Sequence, residues 1–436
     1  MITVLGLGFV GLTTALGFSK KGFRVYGIDV NKERVNSIKK YEVPFYEPFL
    51  DDALKEELGK NFLVDTSLED AVNDSQVVII CVGTPGNPDG SADLTYLLAA
   101  VKDVFKSSKG DFKVIVTKST VPPSTVSKKV KPYVEELNKK YNKEIGLASN
   151  PEFLREGYAW EDFMNPDRVV IGVEDERSKK ILNDIYRPFD APIHYVTFSS
   201  AEFIKYLSNT LLSTLISFSN EMAMIAEHIG DIDVPSAFKI LHQDKRWFGQ
   251  PAAMASYVYP GCGYGGYCLP KDTAALASIA RENGVNPAML DANLEINEKI
   301  TEHVSEKVAA AITTGSTIGI LGLSFKSGSD DVRLSPSKTI IEKLLAKGYK
   351  NIVAFDPMAN KIFDEIHKLP IRYADTLESL VSQADDLVLL TSWPEFKQNK
   401  ELITSKRLFD LRYAFAELPE TTVGENNWQL NMQKAG

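Results

Sequence analysis

The chain opens on a continuous apolar run, "ITVLGL", then a helical stretch from Gly11 to Lys21, then a second run, "RVYGID". "QVVIICVG" and "KVIVTKS" follow, again uninterrupted rather than alternating. Unbroken apolar runs of this length fit parallel strands covered on both faces. Strands separated by helices predict a doubly wound α/β sheet. From Ser200 to about Ile229 the period changes. Ile204, Leu207, Leu211, Leu215, Phe218, Met222, Ile225 and Ile229 step by three or four, which predicts one long helix joining two domains. A second α/β unit then opens: a strand over Thr317–Leu323, a helix over Pro336–Ala346, a strand over Asn351–Phe355, then Asp356. This order repeats that of the first fifty residues, without the glycine pattern found there. "DDLVLLTSW" and "RLFDLR" supply later strands, and from about Glu417 little pattern remains and fraying is expected. The expected division is 1–196, 197–300 and 301–436.

Length supports this division, since 436 residues suggest two or three domains. The net charge of -9 argues against nucleic acid, whose phosphates need a basic face. Three cysteines, Cys81, Cys262 and Cys268, are too few and too oddly spaced for a disulfide framework or a zinc ribbon. The histidines are scattered, and no metal site is expected. With no basic leader, no secretory apolar segment and no run of ~18 apolar residues, the reading is a cytoplasmic protein without a membrane span.

Gly6, Gly8 and Gly11 form G-x-G-x-x-G between the first strand and its helix. Such glycines allow a tight turn and close approach of a pyrophosphate to backbone N–H groups at a helix start. Asp29 ends the next strand, where a carboxylate accepts from ribose hydroxyls and repels a 2′-phosphate. NAD is therefore expected over NADP, although Lys32 and Arg34 nearby could soften the repulsion.

The stretch "GCGYGGYCLPKD" (261–272) holds the second candidate chemistry. Its glycines make a loop that backbone or ligand can approach closely. A helix is expected to begin near Pro270, and Lys271 and Asp272 follow. A Cys268 thiol near a helix start and a lysine should be a thiolate nucleophile; a plain buried thiol is the alternative. Beside a nicotinamide such a thiolate suits aldehyde-level oxidation through a thioester, which needs an activated water and oxyanion donors. Lys205, Asn209, Ser213 and Asn220 form a polar stripe along the long helix, facing either a site or solvent. In "NPEFLREG", Glu152 and Glu156 are spaced to share a helix face, as site residues or as acids in a helix's first turn.

In order and spacing, "GLGFVG", "CVGTPGNPDGSADL", "TKSTVPPST", "NPEFLREG", "EFIKYLSN", "GYGGYCLPKD", "GLSFKSGSDDVRLSP" and "FDLR" resemble the UDP-glucose/GDP-mannose dehydrogenases. The resemblance covers nearly the whole chain. It implies two Rossmann-like domains, the first for NAD and the last for a nucleotide sugar, joined by a central helical dimerisation region. It implies oxidation of a sugar C6 alcohol to the acid with two NAD and one water, UDP-glucose being the first-choice substrate and GDP-mannose its competitor. By motif, Cys268 would be the nucleophile and Lys205 with Asn209 would stabilise the oxyanion. Asp272 with Thr120 would handle protons and water, and Glu152 would assist hydrolysis. Cofactor contacts would come from Gly6, Gly8, Val10, Gly11, Asp29, Arg34, Thr84, Thr120, Glu156, Lys271 and Arg333. Sugar-nucleotide contacts would come from Glu152, Phe153, Leu154, Arg155, Glu156, Lys205 and Asn209. Tyr257, Val258, Tyr259, Pro260, Gly261, Gly265, Lys326 and Arg412 would add to these. Arg246 would reach across a homodimer interface. Tyr267 and Leu334 depart from the usual serine and glutamate of the family.

Overall fold

The structure is a computed structural model. It describes residues 1–415 apart from Tyr46, Asp65, Gly86, 88–91, Glu156, 250–251, 253, 255–256, 258–260, Tyr267 and Tyr413. Within helices, the side chains of Ser213, Ile216, Ser217, Asn220, Glu227, Pro235, Cys268, Lys271, Asp272, Ala275, Leu276 and Ile279 also lie outside the description.

The apolar runs become strands: β1 (Ile2–Leu5), β2 (Val25–Ile28), β3 (Phe62–Val64), β4 (Val77–Ile80), β5 (Lys113–Thr117), β6 (Ile145–Ser149), β7 (Val169–Val173) and β8 (Ile193–Val196). They form one sheet in the order β3-β2-β1-β4-β5-β6-β7-β8. The first six strands are parallel, in the order of a dinucleotide-binding sheet. β7 pairs antiparallel to β6, so the sheet is not parallel throughout as expected. β1, β4 and β5 are buried along their whole length, as their unbroken apolar runs require.

Several helices position the functional residues: α1 (Phe9–Lys20), α2 (Leu50–Glu57), α3 (Ala159–Met164), α4 (Glu176–Tyr186) and α5 (Phe198–Ile229). The expected long helix is α5, with 32 residues. Beyond it lie α6 (Cys268–Glu282), α7 (Ala288–Ala311) and α8 (Pro336–Ala346). A second sheet contains β9 (Ile318–Leu321), β10 (Ile352–Phe355), β11 (Arg372–Tyr373), β12 (Asp386–Leu389) and β13 (Arg407–Asp410). Its order, β11-β10-β9-β12-β13, repeats that of the first five strands, all parallel. By contacts the chain divides between residues 213 and 214, within α5.

The turn from β1 into α1 is fixed by backbone crowding. Gly6 has φ +87°, and a Cβ placed on Gly11 would lie 1.8 Å from the Gly6 carbonyl oxygen. No side chain fits at Gly11 without parting the helix from the strand. Gly11→Ala should therefore cost about 3 kcal/mol of stability in urea unfolding and abolish dinucleotide binding by calorimetry.

Candidate active site

The dinucleotide turn comes first in the chain. Asp29, at the end of β2, accepts from Leu7 N and Asn31 N at 2.7 Å each and from Arg34 Nη1 at 2.8 Å. Burial works to raise its pKa, but the two backbone bonds and Arg34 outweigh it and hold the carboxyl below the usual range. Arg34, expected near this acid, is ion-paired with it. A Cβ on Gly8 would meet nothing within 4 Å, so the backbone at the α1 N-terminus is open to a ligand. Open backbone, crowded Gly11 and acid at β2 fit a dinucleotide. Thr84 Oγ1 donates to the Thr120 carbonyl at 2.7 Å, joining the loops after β4 and β5. Cys81, just before, is the inert thiol expected: burial pushes it up to about 12.

A cavity of about 470 Å³ lies between the loop after β6 and the first turns of α5, lined by Glu152, Phe153, Leu154, Arg155, Lys205 and Asn209 among others. Lys205 Nζ lies 2.9 Å from Glu152 Oε1, and their side chains are only 8% and 12% exposed. Glu152 Oε2 also accepts from Leu154 N at 2.6 Å. Arg155 is held by Asp162, Nη2 to Oδ1 at 2.6 Å and backbone N to Oδ2 at 2.9 Å. Of the polar stripe on α5, Lys205 and Asn209 line this cavity, Asn209 at its exposed edge; the side chains of Ser213 and Asn220 lie outside the description.

The helix expected over "NPEFLREG" is absent. Residues 151–155 are irregular, and α3 starts only at Ala159. Pro151 disfavours a helical Asn150, and Gly157 adopts φ +83°. The loop form lets Glu152 bond its own backbone and Lys205 together. Glu156 lies outside the described residues.

Sequence reasoning missed the groups behind the loop. Lys118 is 4% exposed, lines the same cavity and donates to Asn150 Oδ1 at 3.0 Å. Burial lowers its pKa, against the attraction of Cys81 and Glu152. Asn150 also donates from its backbone to Thr117 and from its amide to Val170, and accepts from Tyr186. The two lysines that bracket the apolar run in "KVIVTKS", Lys113 and Lys118, were the available signal, and both are buried.

In the second unit the glycine loop packs against its own protein. A Cβ on Gly265 would lie 2.2 Å from the Leu334 carbonyl, and one on Gly261 2.9 Å from Arg412 Nη1. Gly266 N donates to Arg333 O at 3.0 Å, and Arg412 Nε donates to Leu390 O at 2.6 Å. The close approach allowed by these glycines is taken up by backbone and by Arg412. α6 starts at Cys268, two residues before the expected point, so this residue occupies the first helical position. The side chains of Cys268, Lys271 and Asp272, and the whole of Val258, Tyr259 and Pro260, lie outside the description. Arg333 pairs with Asp331 at 2.8 Å, and Lys326 lies over the Phe325 ring at 5.5 Å. Arg246 bonds Asp244 through Nε at 2.9 Å, with its guanidinium 5.8 Å from the Tyr257 ring centre. Among the described residues no cluster of three or more His, Cys, Asp or Glu could hold a metal, and no helix is long and apolar enough to cross a membrane.

An open glycine turn with its acid, ahead of a second sheet that repeats the first five strands' order, defines a dinucleotide-binding α/β protein with two Rossmann-like units. The sequence matches three models of one family: the NAD binding domain over residues 1–190, the central domain over 199–299 and the UDP binding domain over 319–417. The chain belongs to the UDP-glucose/GDP-mannose dehydrogenase family. It is 37% identical over 424 residues to a UDP-glucose 6-dehydrogenase of Bacillus subtilis, covering 95% of this chain and 93% of the relative. A GDP-mannose dehydrogenase structure from Pseudomonas aeruginosa is similar at TM-score 0.82 and 33% identity, covering 97% and 98% of the two chains. A UDP-glucose dehydrogenase structure from Pyrobaculum islandicum is similar at TM-score 0.54 and 37% identity, covering 95% and 94%.

Two predictions follow from the buried acids. Glu152→Ala leaves Lys205 enclosed without its counter-ion and should cost about 3 kcal/mol in urea unfolding. Glu202, on α5 and 2% exposed, accepts from Val126 N at 2.8 Å, while its Oε2 has no partner. Burial pushes its carboxyl from 4.5 up to about 7, against backbone bonds from 124–126. The folded state thus holds this proton more tightly than the unfolded chain, so stability falls as pH rises from about 4.5 through 7. The wild type should lose roughly 2 kcal/mol between pH 5 and 8, and Glu202→Gln should flatten that decline.

Proposed function

We propose that the protein oxidises UDP-glucose at C6 to UDP-glucuronate, consuming two NAD and one water. The observation that carries this reading is the near full-length similarity to UDP-glucose 6-dehydrogenases, 37% identical over 95% of the chain for the Bacillus subtilis enzyme. NAD supplies the hydride acceptor for both oxidations.

Cys268 is the proposed nucleophile. The first oxidation removes a hydride from C6 and a proton from its hydroxyl, giving the aldehyde. The thiolate adds to that carbonyl, and the resulting thiohemiacetal loses a second hydride and a proton to become a thioester. Water then cleaves the C–S bond, returning the thiol and releasing the acid. Helix N-terminal backbone at Cys268 favours the thiolate. Lys205 is the proposed oxyanion partner, with Asn209 beside it; an ammonium in a site shielded from water stabilises charge that develops on oxygen. Asp272, with Thr120 and a water, would move protons, and Glu152 would orient the hydrolytic water.

The other proposed contacts follow the family's motifs. Val10, Thr84, Glu156, Lys271 and Arg333 would serve the cofactor. Residues 153–156, 257–261, Gly265, Lys326 and Arg412 would serve the sugar nucleotide. The reading divides the chain into 1–196, 197–300 and 301–436, and places the protein in the cytoplasm as a homodimer with Arg246 reaching the neighbouring site. Exposed Leu212, Leu215 and Phe218 on α5, with Ile240 and Leu241 beyond it, support an apolar face for pairing.

GDP-mannose is the second reading, favoured by the TM-score of 0.82 to a GDP-mannose dehydrogenase. NADH yield with each nucleotide sugar in parallel decides between them. Two moles of NADH per mole of UDP-glucose are expected; yield with GDP-mannose alone would select the second reading, and turnover of neither would overturn both. Cys268→Ala should lower acid formation by about a thousandfold or more, with NAD affinity unchanged.

A further inference from the structure

Between α1 and α2, Glu47 does something no motif announced. Its carboxylate is 3% exposed and accepts three backbone N–H groups more than a hundred residues away: Gly157 and Ala159 at 2.8 Å each, and Trp160 at 3.4 Å. Two of these belong to the first turn of α3, which has no side-chain cap of its own at Tyr158. Orphan donors at a buried helix start need an acceptor, and an anion there also complements the helix dipole. Glu47 meets both needs from elsewhere in the chain.

The consequence reaches the cavity. Asp162 of α3 holds the Arg155 backbone and guanidinium. Leu154 N is held by Glu152, and Glu152 faces Lys205 at 2.9 Å. The 150–157 loop is thus tied at its near end through Asn150 and at its far end through α3. Two carboxylates make the far tie: Asp162 grips Arg155, and Glu47 holds the backbone where the loop enters α3. The same segment touches the dinucleotide turn, since the Phe45 and Phe9 rings pack at 5.5 Å.

We propose that Glu47 is a positioning residue for the sugar-nucleotide loop, acting through α3 and Arg155 to hold residues 152–155 in their site geometry. The inference rests on the proposed function for its kinetic consequence, and on the hydrogen bonds alone for its structural one.

The test compares Glu47→Gln and Glu47→Asp with the wild type. Glutamine turns an amide donor toward backbone donors, whereas aspartate keeps two acceptor oxygens. Amide hydrogen exchange over 150–160 should accelerate at least about tenfold in Glu47→Gln. Its KM for the nucleotide sugar should rise at least about tenfold while the KM for NAD stays within about twofold, with partial recovery in Glu47→Asp. Unchanged exchange, or a fall in Tm with both KM values unmoved or raised together, would overturn the proposal. If the wild type turns over no nucleotide sugar, the proposed function fails and the exchange result still decides the role of Glu47. Should Glu47→Gln not fold, Asp162→Asn breaks the same chain of contacts nearer the loop and must give the same exchange and KM pattern.

Discussion

A lysine and a glutamate removed from water at one point govern the first unit's site. Lys205 and Glu152 come from different elements, a long helix and an irregular loop, and each is nearly enclosed. Neither charge is tolerable there alone, because the desolvation of an ion is large and only its partner offsets it. The loop therefore cannot leave the helix without exposing or orphaning a charge. What surrounds the pair reads as support for it. Asn150, gripped by Lys118 and Tyr186, fixes where the loop leaves β6, and Asp162 fixes Arg155.

The second sheet repeats the order of the first five strands, and in each an aspartate follows the second strand, yet the two acids differ. Asp29 meets two backbone donors and one arginine beside an open turn. Asp356 is 3% exposed and filled from within: Leu323 N, Ser324 N, Ser324 Oγ and Trp393 Nε1 share one oxygen, and Met358 N and Ala359 N share the other. An acid so occupied has no lone pair to offer a ribose. The topology is repeated while the binding chemistry is not.

Much of this was legible in the sequence because apolar runs and helical periods report burial directly. The helix over Pro336–Ala346 matches residue for residue. α5 runs over the predicted span, though Leu207, Leu215, Phe218 and Ile229 of its apolar stripe are exposed. Gly6, Gly11 and Asp29 stand where a dinucleotide turn needs them. The 150–157 loop was misread, since the spacing of Glu152 and Glu156 is equally compatible with a helix and with no helix at all. Only the tertiary partners Lys205 and Asp162 decide. Glu47 was illegible for a related reason: a buried charge looks like a surface charge until its partner, distant in the chain, is known. The glycines at 261–266 repeat the letters of the dinucleotide fingerprint, but here neighbouring protein crowds them: Arg412 at Gly261, Asn297 at Gly263, Leu334 at Gly265 and Phe325 at Gly266.

The saturation of Asp356 limits how the chain can count to two. Among the described residues one dinucleotide turn is open, while the proposed reaction removes two hydrides from one carbon. The spent cofactor must then leave and a fresh one arrive while the half-oxidised sugar waits. A free aldehyde could diffuse away during that exchange. A covalent hold on the sugar, as the proposed reaction has it, would keep the intermediate in register through the change of cofactor, and the tether would then be as much a matter of timing as of chemistry.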